Sequence, residues 1–199
     1  MTASSRFEDH RMRVVILLAA LATAACGQGE APKADAPASA VPKLELQGTY
    51  AACGPITAAG WCGLTFGESS AGAEARAKVP LIPQIDEATL HDPGACHVFT
   101  TSDGPTSVAF LAVEEKLGSV SIAISGPQTA AGVGVDTREA DLKAKYPTAK
   151  AGPNKYEPAV TDYVVDQAPG KLVFQVEAGS VRRIKAGIAP SIDYVEGCG

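Results

Sequence analysis

The sequence predicts an α+β domain in which two degenerate helix-plus-three-strand repeats form one antiparallel sheet with both helices packed on one face. Three observations lead there. Two short segments with helical character each open on an acid and a hydroxyl, and each is followed by three runs with strand character. Glycines recur between those runs, and Gly118-Ser119-Val120 lines up against Gly179-Ser180-Val181 at an offset of 61. Two such units combine naturally into an antiparallel sheet that hides one face beneath the helices and leaves the other free to bind.

The repeats cover about residues 63–126 and 132–187. In the first copy, Gly67-Glu68-Ser69 precedes a weak helix from Ser70 to Val79, which Gly72 interrupts and whose buried face is mostly alanine. Residues 79–95 have no counterpart of the same composition in the second copy and read as a prolyl loop across the core. Cys96 to Thr100, Ser107 to Val113 and Ser119 to Ile124 are the expected strands, with Ser102-Asp103-Gly104 and Gly118 as turns. In the second copy, Asp136-Thr137-Arg138-Glu139 has capping spacing, with Asp136 as N-cap and Glu139 three positions later. Leu142 and Tyr146 then share a helical face, and Pro147 ends the segment. Tyr163 to Val165, Lys171 to Val176 and Ser180 to Ile184 follow as strands, turned by Ala168-Pro169-Gly170 and Gly179. The tail, Ala189 to Gly199, lies beyond the repeats.

Ahead of this domain, placed at 47–199, Arg11 and Arg13 precede the uncharged apolar run Val14 to Ala25, the form of a secretory signal over residues 1–25. The run is short for a bilayer span. Met12 begins a compact signal of its own, so Met1 to Arg11 reads as sequence upstream of the true start. Small residues at Ala24 and Ala25 followed by Cys26 resemble the lipobox of bacterial lipoproteins, in which the cysteine carries the lipid. Residues 27–46 are rich in Ala and Pro and nearly free of large apolar groups, the composition of a tether. Gly27 after the cysteine, rather than Asp, resembles the pattern of lipoproteins sent to the outer membrane, here facing the periplasm.

Once Cys26 is set aside, Cys53, Cys62, Cys96 and Cys198 form an even set in an exported chain and read as two disulfides. Three pairings are open. Gly54, Pro55 and Gly60 can turn the chain back between Cys53 and Cys62, which favours that local pair with Cys96 to Cys198. Cleavage before Cys26 removes three of the 17 basic and two of the 22 acidic residues and leaves net −6. An acidic chain without a basic run disfavours nucleic acid and anionic head groups as partners. Lipid at Cys26 is then the expected hold on the membrane.

Neither His91 nor His97 stands in a metal-binding or nucleophile-pairing pattern, and the four thiols lack CxxC spacing, so no metal and no cofactor is expected. Gly67-Glu68-Ser69-Ser70-Ala71-Gly72 misses the nucleophile elbow because Ala71 stands where a second Gly is required. Gly132 and Gly134 begin a dinucleotide pattern that lacks its third Gly. Glu114-Glu115 and the pair Asp162 and Asp166 read as solvated acids at a hairpin end and a strand edge rather than as catalytic carboxylates. Trp61, Tyr156, Glu157, Tyr163 and Tyr194 remain as candidate binding residues, rings with polar ends and an acceptor, although Trp61, between Gly60 and Cys62, reads first as a core plug beside the local disulfide.

Gly132-Val133-Gly134-Val135-Asp136-Thr137 with Leu142 and Tyr146 resembles the small outer-membrane lipoprotein domains of the BamE/SmpA/OmlA type and the tandem-repeat β-lactamase inhibitor proteins. Lys155-Tyr156-Glu157-Pro158, Lys171-Leu172-Val173-Phe174 and Asp193-Tyr194-Val195-Glu196-Gly197-Cys198 resemble a group of uncharacterised proteobacterial lipoproteins, some of them labelled lectin. The resemblance implies binding without catalysis. The expected function is a non-catalytic cell-envelope lipoprotein whose repeat domain binds a protein partner in the periplasm. A carbohydrate-binding lipoprotein recognising envelope glycans is the alternative, and an enzyme of unrecognised type is a third.

Overall fold

A computed structural model describes residues 50–84, 96–104, 106–195 and 197–198. The chain divides into two compact units, residues 1–41 and 42–199, and every described residue belongs to the second. The signal, Cys26, the tether and His91 lie outside the described residues.

In chain order the elements are a 3-10 turn Ala51–Cys53, β1 Gly60–Trp61, β2 Leu64–Thr65, α1 Ala73–Arg76, β3 Ile82–Gln84, β4 Cys96–Thr100, β5 Val108–Val113 and β6 Lys116–Ile122. Then come α2 Glu139–Lys145, β7 Lys150–Pro153, β8 Thr161–Gln167, β9 Gly170–Glu177, β10 Ser180–Gly187 and a 3-10 turn Ser191–Asp193. Strands β1 and β2 form a two-stranded antiparallel sheet. The other eight form one antiparallel sheet in the order β3-β4-β5-β6-β10-β9-β8-β7.

This overturns the predicted α+β class, because the described molecule is mostly β and its helices are too short to cover a face. Helix α1 has four residues and α2 seven, and each buries a single side chain, Ala73 and Leu142. Gly72, in the left-handed region at φ 67°, stands at the start of α1 and Ala77 has already turned extended at its end. The predicted cap at Asp136 is also absent. Asp136 is left-handed at φ 72°, the helix begins three residues later, and no side chain caps it. Residues 136–139 are instead hydrogen-bonded along the second hairpin: Asp136 N donates to Val181 O (2.8 Å), Val181 N to Thr137 O (2.8 Å) and Glu139 N to Gly179 O (2.9 Å). A non-local pairing has taken the backbone groups that a cap would have used. The prolyl loop expected over 79–95 contains edge strand β3, whose partner is β4, while residues 85–95 lie outside the described set.

The sheet consists of two four-stranded halves, β3–β6 and β7–β10, joined along β6 and β10. Their registers match. The β5–β6 hairpin pairs Val113 with Lys116 and then Leu111 with Ser119, skipping Gly118; the β9–β10 hairpin pairs Glu177 with Ser180 and Gln175 with Arg183, skipping Arg182. Equivalent positions in these hairpins therefore differ by 64, not 61. Gly118 is a bulge residue and Gly179 a turn residue, so their likeness in sequence is not structural equivalence. The first turn is Glu114-Glu115, both with positive φ, where the second half has Ala178-Gly179. Across the junction Val120 faces Ala186, Ile122 faces Ile184 and Ser121 faces Lys185. Adding 64 to one member of either apolar pair and subtracting it from the other gives the second apolar pair, whereas Ser121–Lys185 maps onto itself. A local two-fold axis passes through that pair.

Alternation along the strands sends Phe110, Ala112, Val120 and Ile122 with Phe174, Val176, Ile184 and Ala186 to one face, called inner below, and these side chains are nearly all fully buried. Trp61, Leu64 and Phe66 of the β1–β2 region, with Ile56, Val133, Ala73 and Leu142, close over them. Burying a side chain the size of Phe110 contributes about 1.5–3 kcal/mol, so the two phenylalanines, Phe110 and Phe174, anchor equivalent points of the core.

Candidate functional site

The outer face carries the other half of the alternation. Ala109 and Leu111 of β5, Ser119 and Ser121 of β6, Gln175 of β9, and Arg183 and Lys185 of β10 point away from the core into a cavity of about 430 Å³. That is within the range of small-ligand sites.

Its two walls come from the loops that break the symmetry. On one side the tail turns after β10 and crosses back over the sheet. Ile188 N donates to Gly118 O (2.9 Å), and an ideal Cβ on Gly118 would lie 1.8 Å from Ser191 Oγ, so only glycine admits the tail there. Lys185 Nζ donates to Ile192 O (3.1 Å) and Tyr194 O (2.7 Å), Lys171 pairs with Asp193, and Cys198 is bonded to Cys96 of β4. On the other side, buried Asn154 accepts from Tyr156 N and Glu157 N (both 3.1 Å) and donates to Asp162 (3.1 Å), which fixes the turn that carries Tyr156 and Glu157. Glu157 is held in turn by Arg182 (2.5 Å), which also reaches Glu177 (3.3 Å).

Arg183 and Lys185 stand two apart on one strand face and look into the cavity. Arg183 Nη1 donates to Ser121 Oγ (2.9 Å). Burial lowers the pKa of Arg183, and its neighbour Arg182 adds to the shift; burial likewise lowers that of Lys185, against the pull of Asp162 and Asp193. Among the described residues no carboxylate lies within ion-pair distance of either. Both cations have lost water and have gained no anion among the described residues.

The sequence candidates separate cleanly. Tyr156, Glu157 and Tyr194 line the cavity, with Tyr156 52% and Tyr194 39% exposed. Trp61 is 3% exposed and stacks between Tyr50 (5.5 Å) and Phe110 (5.9 Å), its indole N–H donating to Gly54 O (3.1 Å); it belongs to the core. Tyr163, 5% exposed, is on the inner face with its hydroxyl donating to Glu139. The disulfides run Cys53–Cys62 and Cys96–Cys198. Asp166 pairs with Lys150 (2.7 Å) and Asp162 is tied to Asn154 and Gln175, so these acids do not form a facing pair. Among the described residues no group of His, Cys, Asp and Glu could hold a metal ion.

Sequence reasoning passed over Arg183, Lys185, Ser121, Gln175 and Asn154. A signal was there: Arg183 and Lys185 alternate with Ile184 and Ala186, placing two cations on one side of a strand in an acidic chain.

No family model matches the chain, and no curated protein matches it. Among solved structures, the chain is similar to an extracellular protein containing a SCP domain from Bacillus anthracis str. Ames, with 10% identity and a TM-score of 0.44. The match covers 62% of this chain and 44% of that one, so the chain spans less than half the length of its neighbour. A likeness at this level carries no argument about function.

Proposed function

We propose that the chain is a non-catalytic lipoprotein of the cell envelope, anchored through Cys26 to the outer membrane, that binds a protein partner in the periplasm through the outer face of its sheet. Two disulfides belong to an oxidising compartment, and the chain is an exported protein on that ground. The lipobox-like Ala24-Ala25-Cys26 and the resemblance to envelope lipoproteins support the anchor and its address. The observation that carries the binding reading is the cavity, walled by a stapled tail and a braced turn and edged with exposed apolar groups. Of the four large hydrophobic residues exposed among the described ones, Tyr156, Tyr194 and Val195 stand around it, and Ile82 is the fourth. Such a cluster is what an interface core covers.

A photo-crosslinking residue at Tyr156 in intact cells is expected to capture a discrete protein, while one at exposed Lys143 on α2 captures none. Equal background at both positions overturns the reading. Tyr156 and Tyr194 also favour the glycan alternative, since phenol rings stack on sugar faces; Trp61, being buried, does not contribute to it.

A further inference from the structure

The cavity's chemistry names the kind of group that enters it, if the outer face is the binding face as proposed above. Its floor is divided. Strand β10 supplies Arg183 and Lys185, while β5 and β4 supply Leu111, Ala109 and Val98. Strands in a sheet stand about 4.8 Å apart, so the two spacings from β10 to β5 put the cationic and apolar parts about 10 Å from each other. Arg183 spends one described bond on Ser121, and the rest of its planar fork remains for a bidentate acceptor. Lys185 Nζ gives two of its N–H groups to Ile192 O and Tyr194 O and keeps the third. The whole chain is acidic, at net −5, so two cations without an ion-pair partner among the described residues make this cavity a local attraction and not a general one.

We infer that the cavity takes the C-terminal carboxylate of a partner protein whose last residue is apolar, with Arg183 and Lys185 holding the carboxylate and Leu111 and Val98 receiving the side chain. A terminal residue carries both groups on one Cα, which matches the divided floor. The rest of the partner chain leaves past Tyr156, Tyr194 and Val195, which gives these exposed groups their cover. A free small acid would fill the floor and leave that rim bare. Capture of a chain end by fixed donors is a known mode of peptide recognition.

Titration calorimetry on the full mature chain tests this with three probes: an N-acetylated tripeptide ending in leucine with a free carboxylate, the same peptide as its amide, and hexanoate. The acid peptide is expected to bind saturably, and the amide about tenfold or more weakly, the loss expected for one charge-assisted contact. Arg183→Gln should weaken the acid peptide by a similar factor and leave the amide unchanged. Should that variant fail to fold, the acid-against-amide contrast on the unaltered chain decides alone. Equal binding of acid and amide overturns the assignment. Hexanoate binding as tightly as the peptide overturns the chain-end source in favour of a free acid. No binding by any probe, with a protein still captured at Tyr156, overturns the chain-end inference while the proposed function stands.

Discussion

In the first half of the sheet the bulge residue is Gly118, and the tail's Ser191 lies where its side chain would be; in the second half it is Arg182, which grips Glu157 and Glu177. Beneath that difference Phe110 and Phe174 hold equivalent places, and both halves pair their hairpin with an upstream extended segment, Leu117 N to Glu68 O (2.9 Å) and Val181 N to Thr137 O (2.8 Å). The inner face is under one constraint, close packing, and it keeps the halves alike. The outer face is free of it, and there the halves have diverged into an apolar side roofed by the tail and a charged side braced by a turn.

The disulfide that staples the tail to the first half contributes more to stability than the local one. Cys96–Cys198 closes a separation of 102 residues and Cys53–Cys62 one of nine. On loop entropy, replacing both cysteines of the long bridge with serine is expected to cost about 4–5 kcal/mol and the same change at the short bridge about 2–3 kcal/mol. Urea unfolding of the two variants checks the order. A smaller effect follows from making the bulges alike. Gly118→Ala should destabilise by about 1–3 kcal/mol through overpacking against Ser191, and Ser191→Gly should recover much of it in the double variant, as a double-mutant cycle reads. The smallest effect is a gain. Glu114-Glu115 occupies a turn that needs positive φ twice, so Asn-Gly there is expected to stabilise by about 1 kcal/mol, measured as a rise in the urea midpoint.

The six strands of the two meanders are legible in the sequence as apolar and β-branched runs set off by turn residues such as Ser102-Asp103-Gly104 and Ala168-Pro169-Gly170. The sequence misled on the helices. Asp136 to Glu139 satisfies a local rule, but the hairpin at 177–180 supplies partners that no local pattern contains. It misled on the repeat for a related reason, since glycine serves a bulge at 118 and a turn at 179. Burial of Trp61 beside the local disulfide was legible from its place between Gly60 and Cys62, whereas Tyr163 was legible as a ring but not as a buried one. The facing of Tyr163 depends on what covers the sheet, and that cover comes from a distant segment, the one that carries Glu139. The expected last strand stopped at Ile184, one residue short of Lys185, so the second cation of the cavity fell outside the element that carries it.

The self-paired position at the junction has a consequence of its own. If the two halves were separate identical molecules, they would form a symmetric dimer in which whatever residue stood at 121 faced its own copy. A lysine there would meet a lysine, and like charges directly opposed across a sheet repel. Covalent linkage in one chain removes that restriction by letting the two copies of one position differ, and here they do: serine on one strand, lysine on the other. A cation on the axis is thus open to one chain made of two halves and disfavoured in a symmetric dimer of identical halves.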